Sequence, residues 1–347
     1  MKIPFLIAGP CCAESREQVL DTARSLRAYG VEAFRAGVWK PRTHPGSYEG
    51  PGAEALPWLR EVKDTLGMRV CTEVVRAEHV AACLEAGLDM FWIGARTTAN
   101  PFLVQEIADA LKGKDVTVMV KNPVNPDLEL WSGAVERLRM AGIKDIVLVH
   151  RGFTSAEPGI FRNDPVWQLA VRMRSLFPEY RMVCDPSHIA GNRTLVPQIA
   201  QKAIDLGMDG LMVEVHCNPA AALSDSSQQL SPEDFASMVN GCLKFRSSGT
   251  DNPDYNSALS SLRAQIDSLD HQILQILAQR MEASRQIGKI KKENNVSIVQ
   301  AQRWNDVLEL VRKESRDVDL DPDFTAALFE IIHDASIAEQ NKLLFQL

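Results

Sequence analysis

Residues 181–216 read RMVCDPSHIAGNRTLVPQIAQKAIDLGMDGLMVEVH, in which two short apolar runs flank a segment with helical patterning. The runs MVCDPS and GLMVEVH are nearly all apolar up to their polar ends, which is typical of parallel strands buried on both faces. The same alternation of apolar run and helical segment extends toward the N-terminus. It supplies six more candidate strands: FLIAGP, AFRAGVW, MRVCTEV, MFWIGA, TVMVKN and IVLVHRG.

Eight βα repeats are therefore predicted before about residue 244. Their number and their total length are those of an α/β fold, a (β/α)8 TIM barrel, which we predict for residues 1–246. A doubly wound open sheet is the alternative. In both folds ligands bind at the C-terminal ends of the strands, so the polar residues found there are the candidates for chemistry.

A second domain is expected, because 347 residues exceed what one hydrophobic core normally organises. Residues 247–256 are rich in Ser, Gly, Asn and Asp and have the composition of a linker. Residues 257–347 are predicted to form a smaller all-α three-helix domain: one long helix, then helices around 301–315 and 323–345. The long helix carries apolar residues at alternating spacings of three and four: Leu259, Leu262, Ile266, Leu269, Ile273 and Ile276.

Charge and composition exclude several classes of partner. The net charge of −7 argues against binding to nucleic acid or to an anionic membrane, since both require a basic surface. The opening run MKIPFLIAGP is too short for a membrane span or a signal peptide, which predicts a cytoplasmic protein. Seven cysteines without CxxC pairs suit a reducing compartment, and Cys71, Cys83 and Cys242 are predicted to be small buried apolar residues.

The polar residues at the strand ends fall into two chemical groups. Cations dominate the middle strands, whereas thiol, imidazole and carboxylate groups follow strands one, seven and eight, which are neighbours once a barrel closes. A phosphate site beside a metal site is therefore predicted. Cys11, His188, Glu214 and Asp225 offer one sulfur, one nitrogen and two carboxylates, a set suited to a divalent transition metal with an open position. Singly, such residues are also typical of a core cysteine, a satisfied histidine or surface acids.

Six motifs in the same order and at the same strand ends resemble the 3-deoxy-D-arabino-heptulosonate 7-phosphate (DAHP) synthase family, type Iβ. They are GPC at 9–11, KPRT at 40–43, GAR at 94–96, Lys121, DPSH at 185–188 and VEVH at 213–216 before ALSD at 222–225. The resemblance implies condensation of phosphoenolpyruvate with erythrose 4-phosphate, the first step of the shikimate pathway. It also implies one divalent metal ion per barrel, Mn²⁺ before Fe²⁺, Co²⁺ or Zn²⁺, held by Cys11, His188, Glu214 and Asp225.

The same resemblance assigns the substrate contacts. It implies a phosphoenolpyruvate site made of Arg35, Lys40, Arg96, Lys121 and Arg151. It implies an erythrose 4-phosphate site made of Lys40, Pro41, Arg42, Thr43 and Asp185, with Lys40, Arg42 and Asp185 as catalytic residues. Arginine forks suit this role because they bind phosphate and carboxylate through two parallel hydrogen bonds.

Two details depart from the family pattern, and one rival family exists. His150 precedes Arg151 where relatives often carry Glu, and Cys12 offers a second thiol beside Cys11. The rival is 3-deoxy-octulosonate 8-phosphate synthase, which uses a five-carbon sugar phosphate. The KPRT motif favours the four-carbon sugar.

Basic residues of the long helix predict a site for an anion. Arg280 occupies an apolar seam position, so a buried charge there needs compensation, and Lys291 lies about three turns later on nearly the same side. Arg263 lies seventeen residues before Arg280, about 25 Å along the helix at ~1.5 Å per residue. If all three bind one ligand, Arg263 must come from a partner chain, which predicts an intertwined homodimer.

Residues 257–345 resemble the all-helical chorismate mutase family, which rearranges chorismate to prephenate. The resemblance implies a chorismate site made of Arg263, Arg280, Lys291, Gln300, Arg303, Ser336 and Gln340, with Arg280, Lys291 and Gln340 as catalytic residues. Gln300 and Trp304 stand where relatives carry acidic residues. A non-catalytic regulatory or dimerisation module is the alternative. In either case, inhibition of the barrel by prephenate or chorismate is expected from the fusion.

Overall fold

The computed structural model describes residues 5–41, 46–155, 159–245 and 249–344. It divides the chain into two compact units, residues 1–248 and 249–347. Arg42 and Thr43, which are predicted to contact erythrose 4-phosphate, lie outside the described residues. Within the described ranges, no helix is long and apolar enough to cross a membrane.

The first unit is a closed parallel barrel, which confirms the predicted fold. In the described part of the chain its eight strands are β1 (Phe5–Gly9), β2 (Ala33–Arg35), β3 (Arg69–Val74), β4 (Met90–Ile93), β5 (Thr117–Lys121), β6 (Asp145–His150), β7 (Arg181–Cys184) and β8 (Gly210–Glu214). Each strand pairs with its neighbours in chain order. The pairing of β1 with both β2 and β8 closes the sheet and rules out the open alternative.

Alternate residues of the strands point into the barrel and pack there as one cluster. In β1, Phe5 and Ile7 belong to this interior cluster, while Leu6 and Ala8 pack against the surrounding helices. Bulky residues such as Met90, Trp92 and Met119 fill the centre, so the barrel is a packed core rather than a channel. The continuous apolar runs of the sequence reflect this burial on both faces.

Helices surround the barrel, and their ends follow local capping chemistry. They are α1 (Arg16–Arg27), α2 (Leu56–Leu66), α3 (Ala77–Glu85), α4 (Ala95–Thr98), α5 (Pro101–Leu111), α6 (Leu128–Met140), α7 (Trp167–Leu176), α8 (Pro186–Ala190), α9 (Val196–Asp205) and α10 (Pro232–Ser237). Ser15, Asn100 and Asp127 each accept a hydrogen bond from a backbone N–H of the first turn that they cap.

Two sequence expectations differ from the structure. Cys71 and Cys83 are buried as predicted, but Cys242 is exposed. It ends a single π-helical turn, Met238–Cys242, whose apolar contacts are made by Met238 and Val239 instead. In the run AFRAGVW only Ala33–Arg35 is strand, because the backbone N–H of Gly37 turns to the carbonyl of Cys11 and the chain leaves the sheet.

The second unit consists, in its described part, of α11 (Pro253–Glu293), α12 (Ala301–Asp317) and α13 (Pro322–Leu344). The long helix α11 begins inside segment 247–256, because the Asn252 side chain caps the N–H groups of Asp254 and Tyr255. The C-terminal half of α11 packs on α13, where Ser284 and Gly288 are buried. The apolar seam of its N-terminal half is exposed, with side chains from 49% to 63% accessible at Leu262, Ile266, Leu269, Ile273 and Ile276.

Candidate active sites

Strand alternation places charged residues at the C-terminal mouth of the barrel. Arg35 lies two residues after the interior Ala33, Lys121 two after Met119, and Glu214 two after Met212. Because strand residues two apart share a face, these side chains point inward at the last level of the barrel. All three are at least 95% buried.

The DPSH motif places a carboxylate and an imidazole together. Strand β7 ends at Cys184, and Asp185 caps α8 by accepting a hydrogen bond of 3.1 Å from the His188 N–H. Nδ1 of His188 lies 2.8 Å from Oδ2 of Asp185. A carboxylate at this distance favours the tautomer protonated on Nδ1, which leaves Nε2 as an electron-pair donor.

A thiol and two carboxylates converge beside that imidazole. Ligand atoms of Cys11, Glu214 and Asp225 all lie within 4.8 Å of one another. Cys11 Sγ is 3.0 Å from Asp225 Oδ2, and Nε2 of His188 is 3.7 Å from Glu214 Oε1. Cys12 Sγ lies instead beside Gly50, where a Cβ would be 3.3 Å from it. Cys11 is thus the thiol of this cluster.

The protonation states of the cluster fit a site that binds a cation. Burial and the Glu214 charge raise the pKa of Cys11 well above its usual value, so its thiol is protonated until a cation replaces the proton. Burial acts to raise the pKa of Asp225, but the charges of Lys40, His188 and Arg162 outweigh it and lower that pKa. A buried thiol beside ionised carboxylates is a donor set for a divalent transition metal.

Buried cations form the adjacent part of the mouth. Arg35 is within 3.1 Å of Glu214 Oε1 and 4.0 Å of Asp185 Oδ2, and Lys121 Nζ is 2.8 Å from the same Asp185 oxygen. The Arg35 guanidinium lies 4.8 Å from the ring centroid of Trp92, which forms the floor. Nε and Nη1 of Arg35 have no hydrogen-bond partner among the described residues. These donors are available to an anionic ligand.

One cavity brings the cations together with His188 and with Asp225 of the thiol and carboxylate cluster. Its lining consists of Arg35, Lys40, Pro41, Glu73, Gly94, Ala95, Arg96, Lys121, Arg151, Arg162, His188 and Asp225. Burial lowers the pKa of Arg151 to about 10, with further lowering by the charges of Arg162 and Arg96. Like charges this close at a buried site indicate a pocket for a multiply charged anion.

The helical unit has a pocket of its own, of about 450 Å³, between its three helices. It is lined by Arg280, Ala283, Ser284, Ile287, Lys291, Ile298, Gln300, Arg303, Trp304, Val307, His333, Ser336, Ile337 and Gln340. Arg280 Nη1 donates to Ser336 Oγ at 2.6 Å, and Gln340 Nε2 donates to Ser284 Oγ at 3.0 Å. Lys291 Nζ donates to the Ile298 carbonyl. Among the described residues, the lining contains three cations, Arg280, Lys291 and Arg303, and no acidic residue.

Two further features of this pocket bear on the predicted site. The rings of Trp304 and His333 stack at 3.9 Å between centroids and form one wall. Arg263 is exposed on α11 and does not line the pocket of its own chain. The predicted separation of Arg263 from Arg280 along the helix accounts for this.

Comparison with known proteins places both units in families. The profile of the DAHP synthetase I family matches residues 2–245, and that of chorismate mutase type II matches residues 262–341. The chain belongs to the DAHP synthetase I family. Its C-terminal unit is a chorismate mutase type II domain, and the two matches together support the dual activity predicted from the sequence motifs.

Individual relatives agree with the barrel assignment. Phospho-2-dehydro-3-deoxyheptonate aldolase of Thermotoga maritima is 34% identical over 241 residues, which cover 69% of each chain. The crystal structure of that DAHP synthase superposes with a TM-score of 0.61 at 33% identity, covering 68% of this chain and 67% of the other. The 2-dehydro-3-deoxyphosphooctonate aldolase of Nitratidesulfovibrio vulgaris is 30% identical over 237 residues, 64% of this chain and 84% of its own. It is a more distant relative.

Two residues of the DAHP synthetase I barrel mouth were missed in the sequence. Glu73 lies two residues after the interior Cys71, and its Oε2 accepts a hydrogen bond of 3.1 Å from Trp92 Nε1. A Cβ on Gly94 would lie 2.0 Å from Glu73 Oε1, so the glycine of the GAR motif makes room for this acid. Strand alternation could have identified Glu73. Arg162 comes from the loop after β6, where no strand periodicity applies.

His150, the departure from the family pattern, points away from the barrel mouth. Its ring lies against Trp131, Phe153 and Trp167, with centroid distances of 5.1 to 6.4 Å. It faces outward because the preceding Val149 faces the interior. Burial and the Arg151 charge lower the pKa of His150 to about 3, so it is neutral. It packs among the helices and does not serve as a site acid.

Proposed function

We propose that the barrel condenses phosphoenolpyruvate with erythrose 4-phosphate, with addition of water at C2 and loss of phosphate, to give DAHP. We propose also that the helical unit rearranges chorismate to prephenate. The observation that carries the first half is the cavity at the barrel mouth, which is lined by the buried cations, by His188 and by Asp225 of the thiol and carboxylate cluster. The first reaction requires both an anion pocket and a means of activating an aldehyde. A cytoplasmic location suits the seven free cysteines, one of which belongs to that cluster.

In this proposal Cys11, His188, Glu214 and Asp225 hold one divalent metal ion, with Mn²⁺ favoured and Fe²⁺, Co²⁺ or Zn²⁺ as alternatives. The ion supplies Lewis acidity toward the sugar aldehyde when it is bound. The donor set supports this, since thiolate and imidazole select transition metals over Mg²⁺ or Ca²⁺. Lys40 approaches both Cys11 Sγ and Asp225 Oδ2, the latter at 3.6 Å, and balances their charge.

Five cations would bind phosphoenolpyruvate through its phosphate and carboxylate groups. They are Arg35, Lys40, Arg96, Lys121 and Arg151. Erythrose 4-phosphate would bind at Lys40, Pro41, Arg42, Thr43 and Asp185. Asp185 fixes the positions of Lys121 and His188 relative to each other, because its Oδ2 atom contacts both side chains. The fixed charges hold C3 of the enol phosphate against the aldehyde carbon and stabilise negative charge as it develops, so no covalent nucleophile is required.

Sugar selectivity tests the barrel assignment. Protein loaded with Mn²⁺ should consume phosphoenolpyruvate with erythrose 4-phosphate and release one phosphate per turnover. Arabinose 5-phosphate, the five-carbon sugar of the octulosonate enzymes, should give little or no consumption. A preference for arabinose 5-phosphate would reject DAHP synthesis in favour of the related reaction.

For the mutase we propose that Arg263 of one chain completes the pocket of its partner, so that the active unit is a homodimer. The exposed seam of α11 supports this: a row of half-exposed apolar side chains over about four turns is a surface that a second helix would bury. Arg280, Arg303 and the partner's arginine would bind the two carboxylates of chorismate. Lys291, Gln300, Ser336 and Gln340 supply the remaining polar contacts, and the rearrangement needs orientation and electrostatics alone.

The stacked Trp304 and His333 favour a second candidate for this unit. The family resemblance implies an acidic residue at position 304, where this chain has one of the two stacked rings. A pocket wall made of these rings would suit a module that binds prephenate or chorismate and inhibits the barrel without turnover. Chorismate consumption by the full chain distinguishes the two, because a pure binding module leaves chorismate unchanged. Feedback itself requires a ligand that favours one of two states of the protein. Barrel kinetics that do not change under saturating prephenate would reject it.

A further inference from the structure

Two consecutive residues of the loop between β6 and α7, Arg162 and Asn163, contact both halves of the barrel site. Arg162 Nη1 donates to Asp225 Oδ1 at 3.1 Å and to Gln228 Oε1 at 2.7 Å. Gln228 Nε2 in turn donates to Glu214 Oε2 at 2.7 Å. One guanidinium therefore fixes two carboxylates of the thiol and carboxylate cluster, one directly and one through Gln228.

Asn163 makes the equivalent link to the anion pocket. Its Oδ1 accepts a hydrogen bond of 2.9 Å from Arg151 Nη1, and its Nδ2 donates to the His188 carbonyl at 2.7 Å. The backbone N–H groups of Arg162 and Asn163 donate to the carbonyls of Ala190 and Ile189. The dipeptide is thus held against α8, the helix that carries His188, and it orients Arg151 from there.

Two glycines, which have no Cβ atom, allow this dipeptide to pack closely against them. Gly152 has a φ of +77°, and a Cβ on it would lie 2.9 Å from the Cβ of Asn163. Gly191 has a φ of +67°, and its Cβ would lie 2.4 Å from the Cβ of Arg162. Both positions combine a left-handed backbone with a close approach, so a larger residue would displace the dipeptide.

Asp225 needs outside support for its orientation. Its φ of +48° places a residue other than glycine in the left-handed region, a conformation that persists only where the surroundings hold it. Its carboxylate also faces that of Glu214 across the cluster. The Arg162 guanidinium supplies both a fixed hydrogen bond and a compensating charge.

We propose that Arg162 and Asn163 are positioning residues: Arg162 orients the Asp225 and Glu214 carboxylates for metal binding, and Asn163 orients Arg151 for phosphate binding. The inference rests on the proposed DAHP synthase function. It makes the loop after β6 a structural link between the two halves of the site, so the two residues should affect two measured constants to different degrees.

Metal affinity tests the role of Arg162 without turnover. In R162M, which keeps an unbranched apolar stem but removes the guanidinium and its donors, Mn²⁺ should bind about 10- to 100-fold more weakly to metal-stripped protein, measured against a competing chelator. R162K should fall between R162M and wild type, because it keeps the charge without the fork. R172M, at an exposed position on α7, is the matched control and should bind Mn²⁺ as wild type does.

The KM for phosphoenolpyruvate tests Asn163. At saturating Mn²⁺, N163L should raise the KM for phosphoenolpyruvate about tenfold, as expected when a charge-assisted contact of about 1.4 kcal/mol is lost. The Mn²⁺ affinity of N163L should stay near that of wild type. N163D keeps an acceptor for Arg151 and should retain a KM closer to wild type. Because Arg162 also lines the cavity, R162M should raise this KM as well, but by less than N163L does under the same saturating conditions.

Each result decides between the role of the dipeptide and the function of the barrel. Wild-type protein that binds no divalent metal and consumes no phosphoenolpyruvate would overturn the proposed function and this inference with it. A functional wild type whose Mn²⁺ affinity is unchanged in R162M, or whose two constants change together in both R162M and N163L, would overturn the inference alone. A larger loss of Mn²⁺ affinity in R162M and a larger rise of KM in N163L support it.

Discussion

At the residue scale, the site consists of charges that are buried in opposite pairs. Arg35 lies between Glu214 and Asp185, and all three side chains are at least 99% buried. Charges removed from water at this depth are tolerated because each compensates another. The result is a rigid set of donors and acceptors in place before any substrate arrives, which is what electrostatic catalysis requires.

Loss of Arg35 should therefore cost stability as well as substrate binding. In metal-stripped protein, R35M should lower the free energy of unfolding by about 3–5 kcal/mol, because Glu214 would lose the guanidinium that lies 3.1 Å from it and Asp185 would keep Lys121 alone of its two cations. Urea denaturation followed by tryptophan fluorescence measures this. R24M is the control: Arg24 and Asp21 pair at 3.0 Å, but both are about 60% exposed, and their loss should cost less than about 1 kcal/mol. Equal costs would show that burial of the charges does not matter.

His150 should make the barrel sensitive to mild acid. The folded protein keeps the ring neutral, with a pKa of about 3, whereas the unfolded chain takes up a proton near pH 6.5. The unfolded state then binds more protons, so stability falls as pH decreases from 6.5 toward 3. Between pH 8 and pH 5 this residue should account for a loss of about 2 kcal/mol.

The variant H150F removes this titration and isolates its effect. Its ring suits the neighbouring Trp131, Phe153 and Trp167, so the barrel should fold. The difference in unfolding free energy between wild type and H150F should change by about 2 kcal/mol over that pH range. Parallel pH profiles for the two proteins would contradict the buried neutral histidine.

At the element scale, the strands were predictable because burial on both faces leaves a local signature. Each predicted run overlaps one of the eight strands of the described barrel, although β2 is much shorter than its run. The same local signature fails in loops. Arg162 reaches the mouth through contacts with Asp225 and Gln228, more than 60 residues away along the chain. No periodicity encodes such a contact, so the sequence pattern does not predict it.

The two-residue alternation of strands also explains which site residues the sequence predicts and which it does not. Arg35, Lys121 and Glu214 stand at visible strand ends and were predicted. Glu73 occupies an equivalent position two residues beyond Cys71, but it precedes the last residue of its strand and was not recognised. Cys242 was predicted as buried from residue type alone, and residue type does not determine which side of a helical turn faces solvent.

Close packing of α11 on α13 should be required for the mutase pocket. A Cβ on Gly288 would lie 3.0 Å from Cγ of Gln340, so G288V should displace that side chain and lower mutase kcat, on the order of tenfold for a loss of ~1.4 kcal/mol. Barrel activity measured in the same sample should be unchanged. K289V, a β-branched substitution at the adjacent exposed position, controls for helix propensity. A mutase rate in G288V equal to that in K289V would contradict the proposed role of this contact.

At the scale of the whole molecule, the two units pose different problems for sequence analysis. The barrel closes on itself, so its fold and the neighbours of its site follow from one chain. The helical unit leaves half of its longest helix exposed and one predicted binding residue outside its pocket. Helix rise alone separates Arg263 from Arg280, and from that separation the homodimer stays a prediction.

Subunit complementation tests the shared mutase site. R263A and R280A should each have very low mutase activity as homodimers. In a heterodimer of the two, a twofold axis places both substitutions in one site and leaves the other intact, so about half of wild-type activity should return. Heterodimers isolated through two affinity tags allow the measurement. A heterodimer as inactive as its parents would show that Arg263 does not act across a dimer.

The most direct test of the central claim is phosphoenolpyruvate consumption, with erythrose 4-phosphate, by metal-stripped protein during titration with Mn²⁺. We predict no turnover without metal and full turnover near one equivalent per barrel, with C11S remaining inactive and C12S recovering like wild type. Stripped protein that retains its full rate, or C11S that recovers as well as C12S, would contradict the proposed metal-dependent synthase site.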